Sequence, residues 1–373
     1  MVVDFRVEIR DTSFNTLEVL DNEILSVRWD YSRIGGCGAF SFSLPRNYCE
    51  EKYISGDFNI RIYIRNPDTD IYDLWYQGLV EDKTPTVSGH KEVIEVSGHG
   101  YSAQLSRIQI DRDYSSDEIA RDVVKHIMDN DITSNTDITY DDGDIVATTF
   151  TADTLEFNTD AKSAIETCAD IAGTREWGVD KDRKFFFKAR SSTPGFYFPL
   201  GTKITNFKSN QNFRDIVNRV VIQGGETGGA PYTNTYNDTV SQAKYNRRDK
   251  VIQNSAITTN TVASQYADAI FAEYSDVIRR ASCSLVNHFS RIESTIPIPL
   301  FIVKTRGRLY GEFKYGEGLY SGLVERQVNR IQYKIDNKKN LSINLNLGQV
   351  RPGLAENIAQ LEHQLEQQRS ASL

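Results

Sequence analysis

Ile60-Arg61-Ile62-Tyr63-Ile64-Arg65 alternates apolar and polar side chains until Asn66-Pro67-Asp68 interrupts it. A period of two places residues 60, 62 and 64 on one face, as in a half-buried β-strand. The same rhythm recurs on both sides. Upstream, Phe5, Val7 and Ile9 alternate with Arg6, Glu8 and Arg10, and Ile24 to Trp29 reads as a second strand. Gly35-Gly36-Cys37-Gly38 breaks the chain before Ala39-Phe40-Ser41-Phe42-Ser43-Leu44 alternates again. Downstream, Leu74 to Val80 returns, and Glu92 to Val96 closes the set ahead of Gly98-His99-Gly100. Six short strands joined by turns predict a barrel or sandwich over residues 1–107.

After Arg107 the period changes. Ser115 and Glu118 have the spacing of a capping box ahead of Ile119, Val123 and Ile127, which predicts an amphipathic helix. A second helix is expected from near Asp160, with Ala164, Ile165, Cys168 and Ile171 on one face and a stop at Gly173. Trp177-Gly178-Val179 and Lys184 to Phe187, separated by Asp180-Lys181-Asp182, read as a hairpin. Residues 108–195 are therefore expected to form an acidic α+β insertion that ends near Pro194-Gly195. A second β domain is expected over 196–350. It takes in the strand Val217 to Ile222 and carries a helical insertion near 226–280, whose helix starts near Thr261 with Val262, Tyr266, Ile270 and Tyr274. Ile331, Tyr333 and Ile335, a turn at Asp336-Asn337-Lys338-Lys339, then Leu341, Ile343, Leu345 and Leu347 predict a hairpin. Over 351–373, Leu354, Ile358, Leu361 and Leu365 repeat at coiled-coil spacing. So short a seam is marginal alone. It is expected to serve in self-association or partner docking, with a helix folded onto its own domain as the alternative. The expected fold class is mainly β, with two β domains, a small α+β domain between them and a C-terminal helix.

Composition agrees. The chain has 373 residues, enough for more than one core, and 11% are aromatic, which favours strands over helical bundles. Net charge is −8, and residues 111–182 hold 19 acidic against 6 basic residues. An acidic chain has little counterion-release drive to retain DNA, although a conduit through which DNA slides is compatible with it. Residues 300–351 reverse the balance, with 10 basic and 4 acidic side chains. The amino-terminal residues alternate like a strand around Asp4 and do not resemble a signal peptide. No apolar run approaches the ~18 residues that span a bilayer. Four cysteines, Cys37, Cys49, Cys168 and Cys283, lack close pairing, which argues against a disulfide framework.

No chemical signature emerges. His90, His99, His126, His288 and His363 lie outside zinc-binding spacings, and neither GxSxG nor a phosphate-binding glycine loop occurs. Asp141-Asp142-Gly143-Asp144 lacks the alternating acids and closing glutamate of a calcium loop, so an acidic turn is expected there. Accordingly no catalytic, cofactor or metal site is assigned, and an architectural protein is expected. Two alternatives stand beside it: a hydrolase acting on cell wall or glycans through a carboxylate pair in 108–195, and a carbohydrate-binding sandwich using Tyr72, Trp75 and Tyr76.

The order of these pieces resembles the tail-hub (baseplate-hub) proteins of phages and the related hub portions of secretion-system spikes. The resemblance rests on Gly38 to Pro45, Ile54-Ser55-Gly56-Asp57-Phe58-Asn59-Ile60, Gly78-Leu79-Val80 and the run Val96 to Leu105. It continues through Asn218 to Gly224, Tyr245-Asn246-Arg247-Arg248 and the segment from Gly322 to Gly348. It implies two tube-protein-like β-barrels per chain and a homotrimer whose six barrels form a pseudo-sixfold ring in the virion tail. That ring would join the tail tube or a distal tail ring above to a tip or fibre protein below, contact a tape-measure protein, and line the DNA-ejection channel for host entry. In several relatives the hub continues into a peptidase or fibre. This chain ends after a short helix, so no peptidoglycan-cleaving domain is carried over.

Overall fold

The computed structural model describes residues 2–45, 54–66, 69–88, 91–114, 118–148, 151–152, 155–172, 175–189, 196–197, 204–227, 230–254, 257, 260–285, 302–305 and 324–348. The chain is mainly β. Strands β1 (Phe5–Arg10), β2 (Thr16–Leu20), β3 (Ser26–Ser32), β4 (Gly35–Pro45), β5 (Asn59–Arg65), β6 (Tyr72–Ser88) and β7 (Lys91–His99) form the amino-terminal part. The seventh, unexpected strand is β2. Leu17 and Val19 are 37% and 40% exposed at the sheet edge, so its sequence carries no inward alternation.

An α+β section follows. Strands β8 (Gln109–Tyr114) and β9 (Leu155–Asp160) pair antiparallel, with helices α1 (Ala120–Ile127) and α2 (Ala161–Ile171) beside them. Strands β10 (Arg175–Val179) and β11 (Phe185–Ala189) make the expected hairpin. Val123, Val124 and Ile127 of α1 meet Ala164, Ile165 and Cys168 of α2 in one core with Trp177, Phe185 and Phe187. Of the expected capping box, Ser115 lies outside the described residues. Glu118 lies in a short strand opposite Ala152, and α1 starts at Ala120 behind an Ile119 cap without a side-chain bond. Asp160 does cap its helix, accepting from the Ser163 N–H at 3.0 Å.

The remainder includes β12 (Ile204–Asn212), β13 (Arg219–Thr227), β14 (Ala230–Asn237), β15 (Asp249–Asn254), helix α3 (Asn260–Tyr274), β16 (Ile278–Leu285), β17 (Ile302–Thr305), β18 (Val324–Ile335) and β19 (Leu341–Gly348). Here the assignment of Val217 to Ile222 to the second barrel is corrected. Its strand, β13, is the centre of a separate sheet in the order β14-β13-β15, covered by α3. The buried face of α3 is Ala263, Ala267 and Ile270, with Tyr266 and Tyr274 packed beside it. Small residues let the helix approach the sheet closely, which a search for large apolar residues overlooks.

The main sheet runs β12-β16-β19-β18-β3-β4-β7-β6-β5-β1-β2. Amino- and carboxy-terminal parts join where β3 pairs antiparallel with β18, and they share one core. At that seam Trp29 stacks on its cross-strand partner Tyr333 at 5.1 Å between ring centroids, and Trp75 meets Tyr333 edge-on at 5.4 Å. Aromatic cross-strand pairs of this kind add stability beyond area burial.

The sheet contains one arrangement twice. In the first half β3 pairs with β4, β4 with β7, β7 with β6 and β6 with β5, all antiparallel. In the second, β12 pairs with β16, β16 with β19, β19 with β18 and β18 with β17, again all antiparallel. Each long strand switches partner at a bulge, between Val80 and Asp82 in β6 and between Val328 and Arg330 in β18. Chain order is also conserved between the halves, with the small β14-β13-β15 unit inserted between β12 and β16.

Candidate functional site

The residues considered for chemistry turn out to be structurally committed. Asp141, Asp142 and Asp144 do not converge on a cation. Their carboxylates take the ammonium groups of Lys184 (2.5 Å), Lys125 (2.7 Å) and Lys188 (2.6 Å) respectively. Among the described residues no group of His, Cys, Asp and Glu is arranged to hold a metal ion. Cys37, Cys168 and Cys283 are buried free thiols, and burial pushes Cys168 and Cys283 up to about 12, far from thiolate chemistry at neutral pH. His99 accompanies Glu81 (2.5 Å), while His126 lies against Arg112 and Tyr114. Cys49, His90, His288, His363 and the seam Leu354, Ile358, Leu361 and Leu365 lie outside the described residues.

The aromatic trio considered for carbohydrate binding is not a platform. Trp75 and Tyr76 are 3% and 0% exposed. Tyr72 lies over the Arg6 guanidinium (4.6 Å to its ring centroid), with Tyr63 also in contact at 4.8 Å.

What the fold assembles is a three-way junction. Arg33, at the β3–β4 turn, donates through Nε to Glu176 Oε1 of β10 at 2.6 Å, and through Nη2 to the same oxygen. Its Nη1 reaches Asn329 Oδ1 of β18 at 3.4 Å, and its backbone N–H donates to the Asn329 carbonyl at 2.9 Å. All three residues are buried. One guanidinium thus ties the amino-terminal strands, the α+β section and the carboxy-terminal hairpin together. Beside it β10 pairs parallel with β4, Gly178 opposite Gly35 and Val179 opposite Gly36. Gly36 has φ +76°, and a Cβ there would stand 2.1 Å from the Val179 carbonyl oxygen, so only glycine fits this contact. Sequence reasoning assigned Gly35-Gly36 to a turn and overlooked Arg33 and Glu176, because nothing local marks two charges 143 residues apart as partners.

A second node explains two segments of the hub-like pattern. Asn218 is fully buried; its Nδ2 donates to the Asn246 carbonyl at 2.7 Å and to Ser241 Oγ at 3.3 Å, and its Oδ1 accepts from the Arg248 N–H at 2.7 Å. Arg219 pairs with Asp249 at 2.7 Å, where β13 runs parallel to β15. Asn218-Arg219 and Asn246-Arg247-Arg248 are therefore two halves of one clasp. Replacing Asn218 with alanine is expected to cost about 2–3 kcal/mol by orphaning these buried groups. Hydrogen exchange should accelerate across 216–274 more than in the main sheet.

No family model matches the chain, and no curated protein matches it in sequence. Solved structures do. The tail protein from Neisseria meningitidis MC58 superposes with a TM-score of 0.66 at 10% identity, over 93% of this chain and 97% of its own. The chain has the fold of a phage tail protein. The 43 kDa tail protein of prophage MuSo2 from Shewanella oneidensis gives a TM-score of 0.64 at 14% identity over 94% and 99% of the two chains. The prophage tail protein gp18 from Listeria monocytogenes EGD-e gives 0.58 at 11% identity over 97% and 99%. The expected mainly β fold with an α+β section is the one these tail proteins share. No helix among the described residues is long and apolar enough to cross a membrane.

Proposed function

We propose that the chain is a structural, non-enzymatic hub at the tail tip, working as a homotrimeric ring that joins the tail tube to the tip and lines the DNA-ejection channel. The observation that carries this is the doubled five-strand arrangement within a tail-protein fold. Two like units per chain give three chains six like positions, which matches a sixfold tube on one side and a threefold tip on the other. Its work is geometry and affinity, with a tube or distal tail ring, a tip or fibre protein and a tape-measure protein as neighbours.

The bore is assigned to the polar face of the strands from β7 through β4, β3, β18, β19 and β16 to β12. That face carries Ser41, Ser43, Ser282, Ser284, Asn344 and Asn346, which offer phosphate no charge. Two of its arginines are held by acids, Arg28 by Glu95 at 3.4 Å and Arg330 by Asp30 at 2.5 Å. Lys208, Arg280 and Lys334 share the face by strand alternation. Lys304, Arg306, Arg308, Lys338 and Lys339 are expected away from the bore, since cations there would retain DNA in a salt-dependent way. Of these, Lys339 Nζ contacts Asn22 Oδ1 at 2.9 Å, while Arg306 and Arg308 lie outside the described residues.

Electron microscopy and light scattering of the purified protein, alone and with its tail neighbours, test the proposal. Threefold rings are expected, and a monomer under both conditions overturns it. Deleting residues 352–373, which removes Leu354, Ile358, Leu361 and Leu365, is expected to weaken attachment to the tip or to a sister subunit while the melting temperature stays close to that of the full chain. A fall of many degrees would instead assign the segment to the core.

A further inference from the structure

The doubled arrangement also identifies which edges would meet between copies. Aligning the two halves through their ladders and bulges makes β3 equivalent to β12, β4 to β16, β6 to β18 and β7 to β19. Ser41 and Ser43 then correspond to Ser282 and Ser284, since each faces the equivalent residue of its neighbouring strand. Within the chain, the first strand of one half, β3, pairs with the fourth strand of the other, β18, with Asp30 opposite Gln332 and Ser32 opposite Arg330. The reciprocal pair is β12 with β6, and it is not formed. Among the described residues β12 pairs only with β16, and β6 from Asp82 to Ser88 pairs only with β7. These two edges lie apart in the sheet order of one chain, so they do not meet each other within it.

We infer that copies of this chain join by antiparallel pairing of the β12 edge of one with the Asp82–Ser88 edge of β6 in the next, in the register that β3 and β18 display internally. The inference rests on the ring proposed above and names its interface. Carrying the internal register across sets Thr84 opposite Asn210 of the next copy and Asp82 opposite Asn212. It also sets Val87 beside Phe207, the equivalents of Ile335 and Val27.

An independent observation supports this placement. Ile335 is fully buried in the internal seam, whereas its counterpart Val87 is 61% exposed, an apolar side chain at the position where the internal seam has a cover. The interface is also heterologous, one edge meeting a different one. Such contacts close into a ring when the rotation per copy divides a full turn, and closure removes every open edge of this kind.

The seam between copies is weaker than the internal one. Where Trp29 stacks on Tyr333 inside the chain, the interface has Ser209 opposite Pro85. A proline in an edge strand turns its donor-less nitrogen to the open side, so one ladder bond is missing there. Lys83 and Pro85 guard this edge against indiscriminate pairing. The same orientation makes Thr84 and Asn210 a non-hydrogen-bonded pair with Cα atoms about 4.5 Å apart, within reach of a disulfide.

The test is cross-linking of the full chain carrying Cys49→Ser with Thr84→Cys and Asn210→Cys. Mild oxidation is expected to give a covalent ladder on denaturing gels that stops at three copies, while either cysteine alone gives none. Val19→Cys with Asn210→Cys probes the competing edge at β2 and is expected to stay uncoupled. As a second variant, Val87→Asp is expected to abolish rings in micrographs while leaving the monomer's melting temperature unchanged. Threefold rings in which Thr84→Cys and Asn210→Cys never couple, or in which the Val19 pair couples, overturn this interface and leave the ring standing. Rings that persist with Val87→Asp overturn it too. A monomer throughout overturns both.

Discussion

Replacing Arg33 with alanine is expected to lower the free energy of unfolding by about 3–5 kcal/mol, the usual consequence of removing one side of a buried ion pair. Glu176 is 1% exposed and accepts two bonds from this guanidinium, so the truncation leaves a carboxylate in a nearly dry site. The pair is not valuable for its attraction alone, because desolvation offsets most of the Coulomb gain. The discriminating measurement is therefore a double-mutant cycle by urea denaturation. Arg33→Met with Glu176→Leu is expected to recover most of the loss, since apolar groups of similar volume fill the site without stranded charge. Failure of the double variant to recover would mean that the other contacts of these side chains, Asn329 among them, carry the junction. A loss below 1 kcal/mol in Arg33→Ala would mean that the junction does not hold the three sections together.

Gly36→Val is expected to cost about 4–5 kcal/mol or to prevent folding, at the upper end of single-substitution effects. Two penalties coincide: a β-branched residue at φ +76°, and a Cβ 2.1 Å from the Val179 backbone oxygen. The two backbones are already in close contact here, since a Cβ at Gly178 would likewise stand 2.3 Å from Gly36 N. The nearest element to be expelled is the β10–β11 hairpin, so fluorescence from Trp177, 1% exposed, should shift toward that of solvated indole. Gly143→Ala is the control, with open space around its Cβ and an expected change within 0.5 kcal/mol. Unchanged Trp177 emission in Gly36→Val would remove the β4–β10 contact as the anchor of the α+β section.

The strands could be read in advance because each face is written in consecutive residues. Phe5, Val7 and Ile9, then Ile60, Ile62 and Ile64, are all at most 2% exposed, as their alternation requires. The carboxy-terminal hairpin was equally legible, its turn marked by Asp336 to Lys339. Where burial does not follow local alternation, prediction failed. Thr16–Leu20 turns apolar residues outward at an edge; α3 stands where it was expected, with Ile270 on its buried face, but the alanines it also buries were not foreseen. The doubling itself left one trace, Ser41-Phe42-Ser43-Leu44 against Ser282-Cys283-Ser284-Leu285, too short to be noticed without the ladders that align it.

By itself, then, the sequence determined the period of most segments, the face each of those turns inward, and hence a mainly β chain with an acidic α+β section. Only the tertiary structure decided which strands are neighbours. It joined β3 to β18 across about 300 residues, set β13 in its own small sheet, and brought Arg33, Glu176 and Asn329 together. The physical reason is that backbone hydrogen bonds are the same for every residue type, so a strand's composition states how deeply it is buried but not which partner buries it. Partner choice comes from packing across the whole core, where Trp29 finds Tyr333 and Gly36 finds Val179, and that information exists only once the chain has closed on itself.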